Sequence, residues 1–284
     1  MSAGAQADLI GQARRLDLAG QQDAAIALYT QVLERTPDSY DAHYGLARAL
    51  DLAGRYKDAR DHFVKAIGLA AEGDKDQVLR MMGISLTFVG DATAAATYFQ
   101  QVFDRRVASA NFAGAAEVAD EMGRVYLELG DPDNAVTRYR AAYDTAARQP
   151  DRSQSDVDLA TLRWAHAQAR IAARRGNAIE AHRQEAIVKA LVGKAANAEQ
   201  QSQYAYLRGY DAFYLKDYPA AIAALRTADQ NDPFILLLLA KTYEQSGQAA
   251  RAREYYQNTL ASTSHAVNNA FARPVARQKL EGGR

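Results

Sequence analysis

A chain of 284 residues with 34 Lys plus Arg against 34 Asp plus Glu has no formal net charge, so no overall field draws it to nucleic acid or to an anionic bilayer. Cysteine is absent, which excludes disulfides, thiolate catalysis and Cys-ligated zinc. The longest apolar run, Phe234 to Ala240, is far short of the roughly 20 residues that span a membrane. Apolar residues make up 48%, yet phenylalanine (8) and tryptophan (1) are scarce, and alanine supplies much of the total. Such a chain builds a thin core of closely approaching helices. The opening Met1-Ser2-Ala3-Gly4-Ala5 has neither a basic start nor an apolar stretch, which predicts no signal peptide and a cytoplasmic location by default. A periplasmic or secreted chain trimmed of its signal would begin in the same way.

From the N-terminus, Leu18-Ala19-Gly20-Gln21-Gln22-Asp23-Ala24-Ala25 returns as Leu52-Ala53-Gly54-Arg55-Tyr56-Lys57-Asp58-Ala59. Gly20 to Gly54 and Ala25 to Ala59 are each a step of 34 residues, and internal periods of this size mean stacked repeats. The first copy (6–39) carries Tyr29, Val32 and Pro37; the second (40–75) carries Phe63 and Ala66. A third (76–115) has Gly90, Ala95 and Phe99, and a fourth (116–161) has Gly123, Tyr126, Gly130, Ala135 and Tyr139. The fifth (162–201) is marked by Gly176, Ala181 and Val188, the sixth (202–232) by Gly209, Tyr218, Ala221 and Ala228. The seventh (233–262) has Gly247, Ala252, Tyr256 and Leu260, and 266–280 reads as a final helix covering the apolar end.

Each repeated residue type has a physical task. The glycine supplies the left-handed residue that ends a first helix. A following Asp, such as Asp91 or Asp131 before Pro132, caps the next helix. Ala47, Gly83, Gly123 and Gly209 let paired helices cross closely, and Tyr29, Phe63, Phe99, Tyr139, Leu225 and Tyr256 fill the space between hairpins. Gln149-Pro150-Asp151-Arg152-Ser153-Gln154-Ser155 reads as a long loop, extending to about residue 158, with Ser155 or Asp156 capping the next helix. The less favoured reading is a joint between two sub-arrays.

This pattern of small and aromatic residues resembles the tetratricopeptide repeat family over about residues 6–262. The resemblance implies an all-α fold: a right-handed α-solenoid of antiparallel helix hairpins with a C-terminal capping helix, as one domain over 1–284.

No catalytic spacing interrupts it. Gly193-Lys194 lacks the rest of a phosphate loop, and there is no nucleophile elbow, Ser-x-x-Lys pair or His-Glu-x-x-His. The histidines (43, 62, 166, 182 and 265) never fall three or four apart, so no helix offers a metal pair. Asp74-x-Asp76, Asp131-x-Asp133 and Asp156-x-Asp158 lie at helix starts and read as caps. No cofactor and no metal is expected. Trp164 falls near the packed tryptophan of the family pattern and is assigned to the core.

The resemblance also implies a concave groove lined by the first helix of each hairpin. Its recurring offsets select Tyr44, Arg48, Arg80, Arg124, His166, Arg170, Tyr206, Tyr210 and Lys241, with Leu237 beside the last and Asp120 among the arginines. A planar guanidinium can grip a carboxylate with two hydrogen bonds, so the groove would suit an extended peptide with acidic groups or a free C-terminus. The family's carboxylate clamp also uses asparagines, which the matching positions lack. The other reading is that the arginines are solvated and paired locally. Tyr206, Tyr210, Tyr214 and Tyr218 sit four apart on one helical stripe, facing either core or groove. The leading expectation is a non-catalytic, monomeric scaffold for a protein or peptide, with no nucleic acid and no membrane insertion. The alternative is an assembly subunit that oligomerises through surfaces such as Phe271 and Val275. An enzyme with an unrecognised site comes third.

Overall fold

The computed structural model describes residues 3–195 and 198–282. Met1 and Ser2, part of the N-terminal reading, lie outside the described residues, as does the side chain of Lys194. Helices occur in antiparallel pairs: α1 (Ala3–Leu18) with α2 (Gln22–Leu33), α3 (Tyr40–Ala53) with α4 (Tyr56–Leu69), and α5 (Lys75–Phe88) with α6 (Ala92–Ala108). Then come α7 (Phe112–Glu128) with α8 (Pro132–Ala146), α9 (Gln154–Arg174) with α10 (Ala178–Ala195), and α11 (Ala198–Tyr214) with α12 (Tyr218–Leu225). The seventh pair is α13 (Pro233–Gln245) with α14 (Ala249–Leu260), and α15 (Val267–Glu281) follows alone. There is no strand among the described residues.

The packing follows the repeated residue types. All seven marker alanines (25, 59, 95, 135, 181, 221 and 252) are buried, none more than 3% exposed. The aromatic and aliphatic partners four or so residues on, including Phe63, Phe99 and Tyr139, are buried with them. Close crossing is visible at Gly123, where an added Cβ would lie 2.8 Å from the ring of Tyr139. Gly45, which the repeat pattern did not single out, is tighter: a Cβ there would lie 2.3 Å from Tyr29 Cζ. Gly54 closes α3 at φ 87°, a backbone state that costs other residues a Cβ clash.

Caps divide the readings. Asp131 Oδ1 accepts from Asn134 N at 3.0 Å with Pro132 at the first helical position, as the sequence predicts. Asp74 precedes α5 without a side-chain capping bond. The cap of α9 is Ser153, not Ser155 or Asp156. Its Oγ accepts from Asp156 N (3.2 Å), while Asp156 Oδ2 accepts from Ser153 N (2.9 Å), a reciprocal capping box. The loop therefore ends at Ser153, and much of the fourth copy's extra length becomes helix, because α9 runs for 21 residues.

Two compact units are resolved by contact density. The first comprises residues up to Val102 with Leu260–Val275; the second comprises Phe103–Thr259 with residues from Ala276 onward. These divisions fall inside helices, not at the loop after α8. In the first unit, Ala13, Ala25, Tyr29, Leu46 and Leu50 anchor one apolar cluster. Residues 260–275 pack into that same unit: Arg273 Nε donates to the Leu52 carbonyl at 2.7 Å and Arg273 Nη1 to the Leu260 carbonyl at 2.8 Å. Phe271, expected on the surface, is buried, because the segment carrying it is part of this core.

In the second unit, Ala165, Ala169, Val188, Val192 and Leu207 form a cluster of α9, α10 and α11. The end of α15 contributes Lys279, whose Nζ donates to Glu244 Oε1 on α13 at 2.7 Å. The helix expected at the C-terminus is present in that place.

Candidate partner-binding face

The first helices of the pairs carry the residues selected by groove offset. In the first unit, Tyr44 is half-buried on α3. Its ring stacks on Tyr40 at 5.8 Å and its hydroxyl accepts from Gln77 Nε2 at 2.8 Å. The Arg48 guanidinium lies 5.9 Å from the Tyr44 ring centroid and 3.9 Å from the Asp17 carboxylate. Arg80 is half-buried on α5. One turn beyond Arg48, Asp51 meets His265, so residues of the chain itself occupy the C-terminal end of this stripe.

The second unit brings five of the selected residues together. Arg124 on α7, His166 and Arg170 on α9, and Tyr206 and Tyr210 on α11 form one interleaved cluster. The Arg124 guanidinium lies over Tyr206 (5.9 Å) and Phe234 (5.1 Å), and Arg170 over Tyr139 (5.4 Å) and Tyr210 (5.8 Å). The His166 ring stacks on Tyr206 at 5.6 Å. Arginine over an aromatic face is a favourable electrostatic contact, stronger where water is excluded.

Burial here is deeper than an open groove gives. Arg170 is 4% exposed and Tyr210 fully buried, with His166 and Tyr206 also buried. Arg124 and Lys241 are half-buried. Burial, followed by the nearby Arg170 and Arg124, holds His166 well below its ordinary pKa, so its imidazole is neutral. Burial likewise lowers the Lys241 ammonium.

Three residues complete the site. Glu128 on α7 pairs with Arg174 and stands 3.9 Å from Arg170. Arg170 Nη2 donates to Tyr139 Oη at 2.9 Å, and Arg174 Nε donates to Tyr210 Oη at 2.8 Å. Several buried polar atoms nevertheless have no hydrogen-bond partner among the described residues: Arg170 Nε, His166 Nε2, Tyr206 Oη and Glu128 Oε1. Each such atom is costly to leave unsatisfied. The arrangement holds fixed donors that no acceptor among the described residues fills.

Three tetratricopeptide repeat models match residues 18–82, 119–153 and 206–267, together more than half of the chain. The chain belongs to the tetratricopeptide repeat family. Its structure is similar to that of a tetratricopeptide repeat protein from Parabacteroides merdae (13% identity, TM-score 0.55, 98% of each chain covered). It is also similar to the apo form of RapI (12% identity, TM-score 0.56, 98% of this chain and 99% of that one). At such identities the likeness speaks for the fold alone. No curated protein sequence matches the chain significantly.

Within this tetratricopeptide repeat array, sequence reasoning missed Glu128 and Arg174. Arg174 lies one turn after Arg170, so helical spacing could have extended the arginine stripe to it. Nothing local marked Glu128 as their shared partner. Two histidines 19 residues apart also meet across α3 and α4: His43 Nδ1 and His62 Nδ1 are 2.8 Å apart. His43 Nε2 lies 2.8 Å from the Pro37 carbonyl, which can only accept, so His43 is protonated on Nε2 and accepts from His62 Nδ1. Among the described residues no three His, Asp or Glu side chains gather as a metal site. Trp164, assigned to the core from the sequence, is only half-buried and lines a cleft, because the first half of α9 has no buried residue to hold it inward.

Proposed function

We propose that this chain is a non-catalytic interaction scaffold and that the Arg124–Arg170–Tyr206 face of the second unit receives an acidic segment of a protein partner, either a side-chain carboxylate or a free C-terminus. The observation that carries the reading is the surplus of preorganised donors. Arg170 and Arg174 share the carboxylate of Glu128, while Arg170 Nε and Tyr206 Oη have no hydrogen-bond partner among the described residues. A partner carboxylate would satisfy such donors through charge-assisted hydrogen bonds, which are stronger than neutral ones. Half-buried Arg124 and Lys241 mark the side of the cluster nearest solvent.

The test is affinity capture from the native organism's lysate with wild type beside Arg124→Gln and Lys241→Gln, each checked for an unchanged melting curve. Partners retained by wild type and lost by both variants support the reading. Equal capture by all three would move the binding site to another face.

A further inference from the structure

A cleft of about 290 Å³ lies within the second unit between α7, α8 and the first half of α9. All the buried residues of α9 lie from Ala165 onward, so its first half packs weakly, and the facing positions are too short to close the gap. Ala113, Ala116, Ala142, Ala146 and Ala160 line the cleft, and their short side chains leave it unfilled. The opening coincides with the longest spacing between marker alanines, Ala135 to Ala181.

One wall is aromatic. Tyr139, Tyr143 and Trp164 line it, with the Tyr143 and Trp164 rings 6.1 Å apart. This ring pair already attracts a cation: the Arg140 guanidinium lies 5.7 Å from the Tyr143 centroid and 5.9 Å from that of Trp164.

The charged groups of the lining do not balance. Glu117 pairs with Arg163 at 3.6 Å, and Asp156, held in the capping box with Ser153, has the charge of Arg152 beside it. Asp120 accepts no hydrogen bond from the described residues. Burial raises its pKa even against Arg170, Arg163 and Arg124, so the surrounding arginines do not compensate its desolvation.

We propose that this cleft binds a small arylalkylammonium compound, with the ring against Tyr139, Tyr143 and Trp164 and the ammonium on the Asp120 carboxylate. The volume lies at the small end of ligand pockets, about 300–1,000 Å³, which suits a single ring on a short chain. A chamber with one aromatic wall and a carboxylate that accepts no hydrogen bond among the described residues selects by charge as well as by shape. The cleft shares Tyr139 with the partner-binding face, whose Arg170 donates to the Tyr139 hydroxyl, but the proposal does not depend on that reading.

Trp164 is the only tryptophan in the chain, so its emission reports occupancy directly. Phenethylamine, phenethyl alcohol and phenylacetate share one shape and differ in charge, and none of them emits where tryptophan does. The expected result is a saturable change with phenethylamine, about tenfold tighter or more than with phenethyl alcohol, the difference a charge interaction of ordinary size makes, and weaker still with phenylacetate. Asp120→Asn should erase the preference for the amine. Ala160→Leu, at a half-exposed position of the loosely packed part of α9, should fill the cleft and abolish binding while the melting curve is retained. No saturable change with phenethylamine, equal binding of the alcohol, or unaltered binding by Ala160→Leu would each overturn the proposal.

Discussion

His265 Nε2 lies 2.8 Å from Asp51 Oδ2, with both side chains fully buried although 214 residues separate them in the chain. Asp51 Oδ1 accepts from Ser85 Oγ at 3.1 Å, and the His265 ring sits 5.7 Å from Phe63 and 5.5 Å from Phe88. The pair ties residues 260–275 into the first unit. Removing one partner of a buried, hydrogen-bonded pair costs about 3–5 kcal/mol. Asp51→Ala should therefore lower stability by several kcal/mol in urea denaturation, and Asp51→Asn, which keeps a hydrogen-bonding oxygen, by less. Deleting 260–284 should destabilise the first unit as well as the last repeat. An unchanged urea midpoint in Asp51→Ala would show that the pair contributes nothing.

Acid should weaken the first unit through His43 and His62. Burial, then the charge of a protonated His43, then Lys65 lowers His62 to about 4, and burial also lowers His43. The folded state thus prefers the neutral ring. Its stabilising effect is complete above the unfolded value of about 6.5 and is lost as pH falls toward about 4. A melting temperature followed across that range should fall toward acid in wild type and fall less in His62→Gln.

Asp211 on α11 makes the opposite prediction. It is fully buried, neither carboxylate oxygen receives a hydrogen bond from a donor group among the described residues, and Glu185 stands beside it. Burial first, then Glu185, pushes its pKa well above the ordinary value, so a protonated Asp211 can donate to Glu185. An acid whose folded pKa is raised costs stability as pH climbs from about 4 through the folded value. Asp211→Asn cannot ionise and should melt higher than wild type at neutral pH, with the gap closing near about pH 4. A lower melting temperature at neutral pH would contradict the assignment.

Two glycine-to-alanine changes in neighbouring helices should have opposite signs. At Gly68, near the end of α4, an added Cβ meets nothing within 4 Å, and alanine's better helix propensity should stabilise by up to about 1 kcal/mol. At Gly45 the same atom would lie 2.3 Å from Tyr29 Cζ, and overpacking of this kind costs about 1–3 kcal/mol. Urea midpoints of the two single variants decide the matter.

How far the fold was legible depends on the range of the interaction concerned. The frame first seen in the 34-residue step from Gly20 to Gly54 recurs in seven unevenly spaced copies, and each copy needs only its own small and aromatic residues to form a hairpin. The buried marker alanines and the cap at Asp131 followed from that signal. The cap at Ser153 was misplaced because Ser153, Ser155 and Asp156 all suit a helix start, and only the backbone path chooses among them.

The sequence by itself determined the helical hairpins, their number, the family and the identity of the small and aromatic residues that pack within each pair, because these rest on contacts between residues close in the chain. Only the tertiary structure decided that Arg170 and Tyr210 are buried, that Glu128 serves both Arg170 and Arg174, that His265 returns to Asp51, and that Trp164 borders a cleft. Those outcomes depend on how far successive helices lean toward or away from one another. That lean is the sum of many side-chain volumes and charges across several repeats, and no single stretch of sequence carries it.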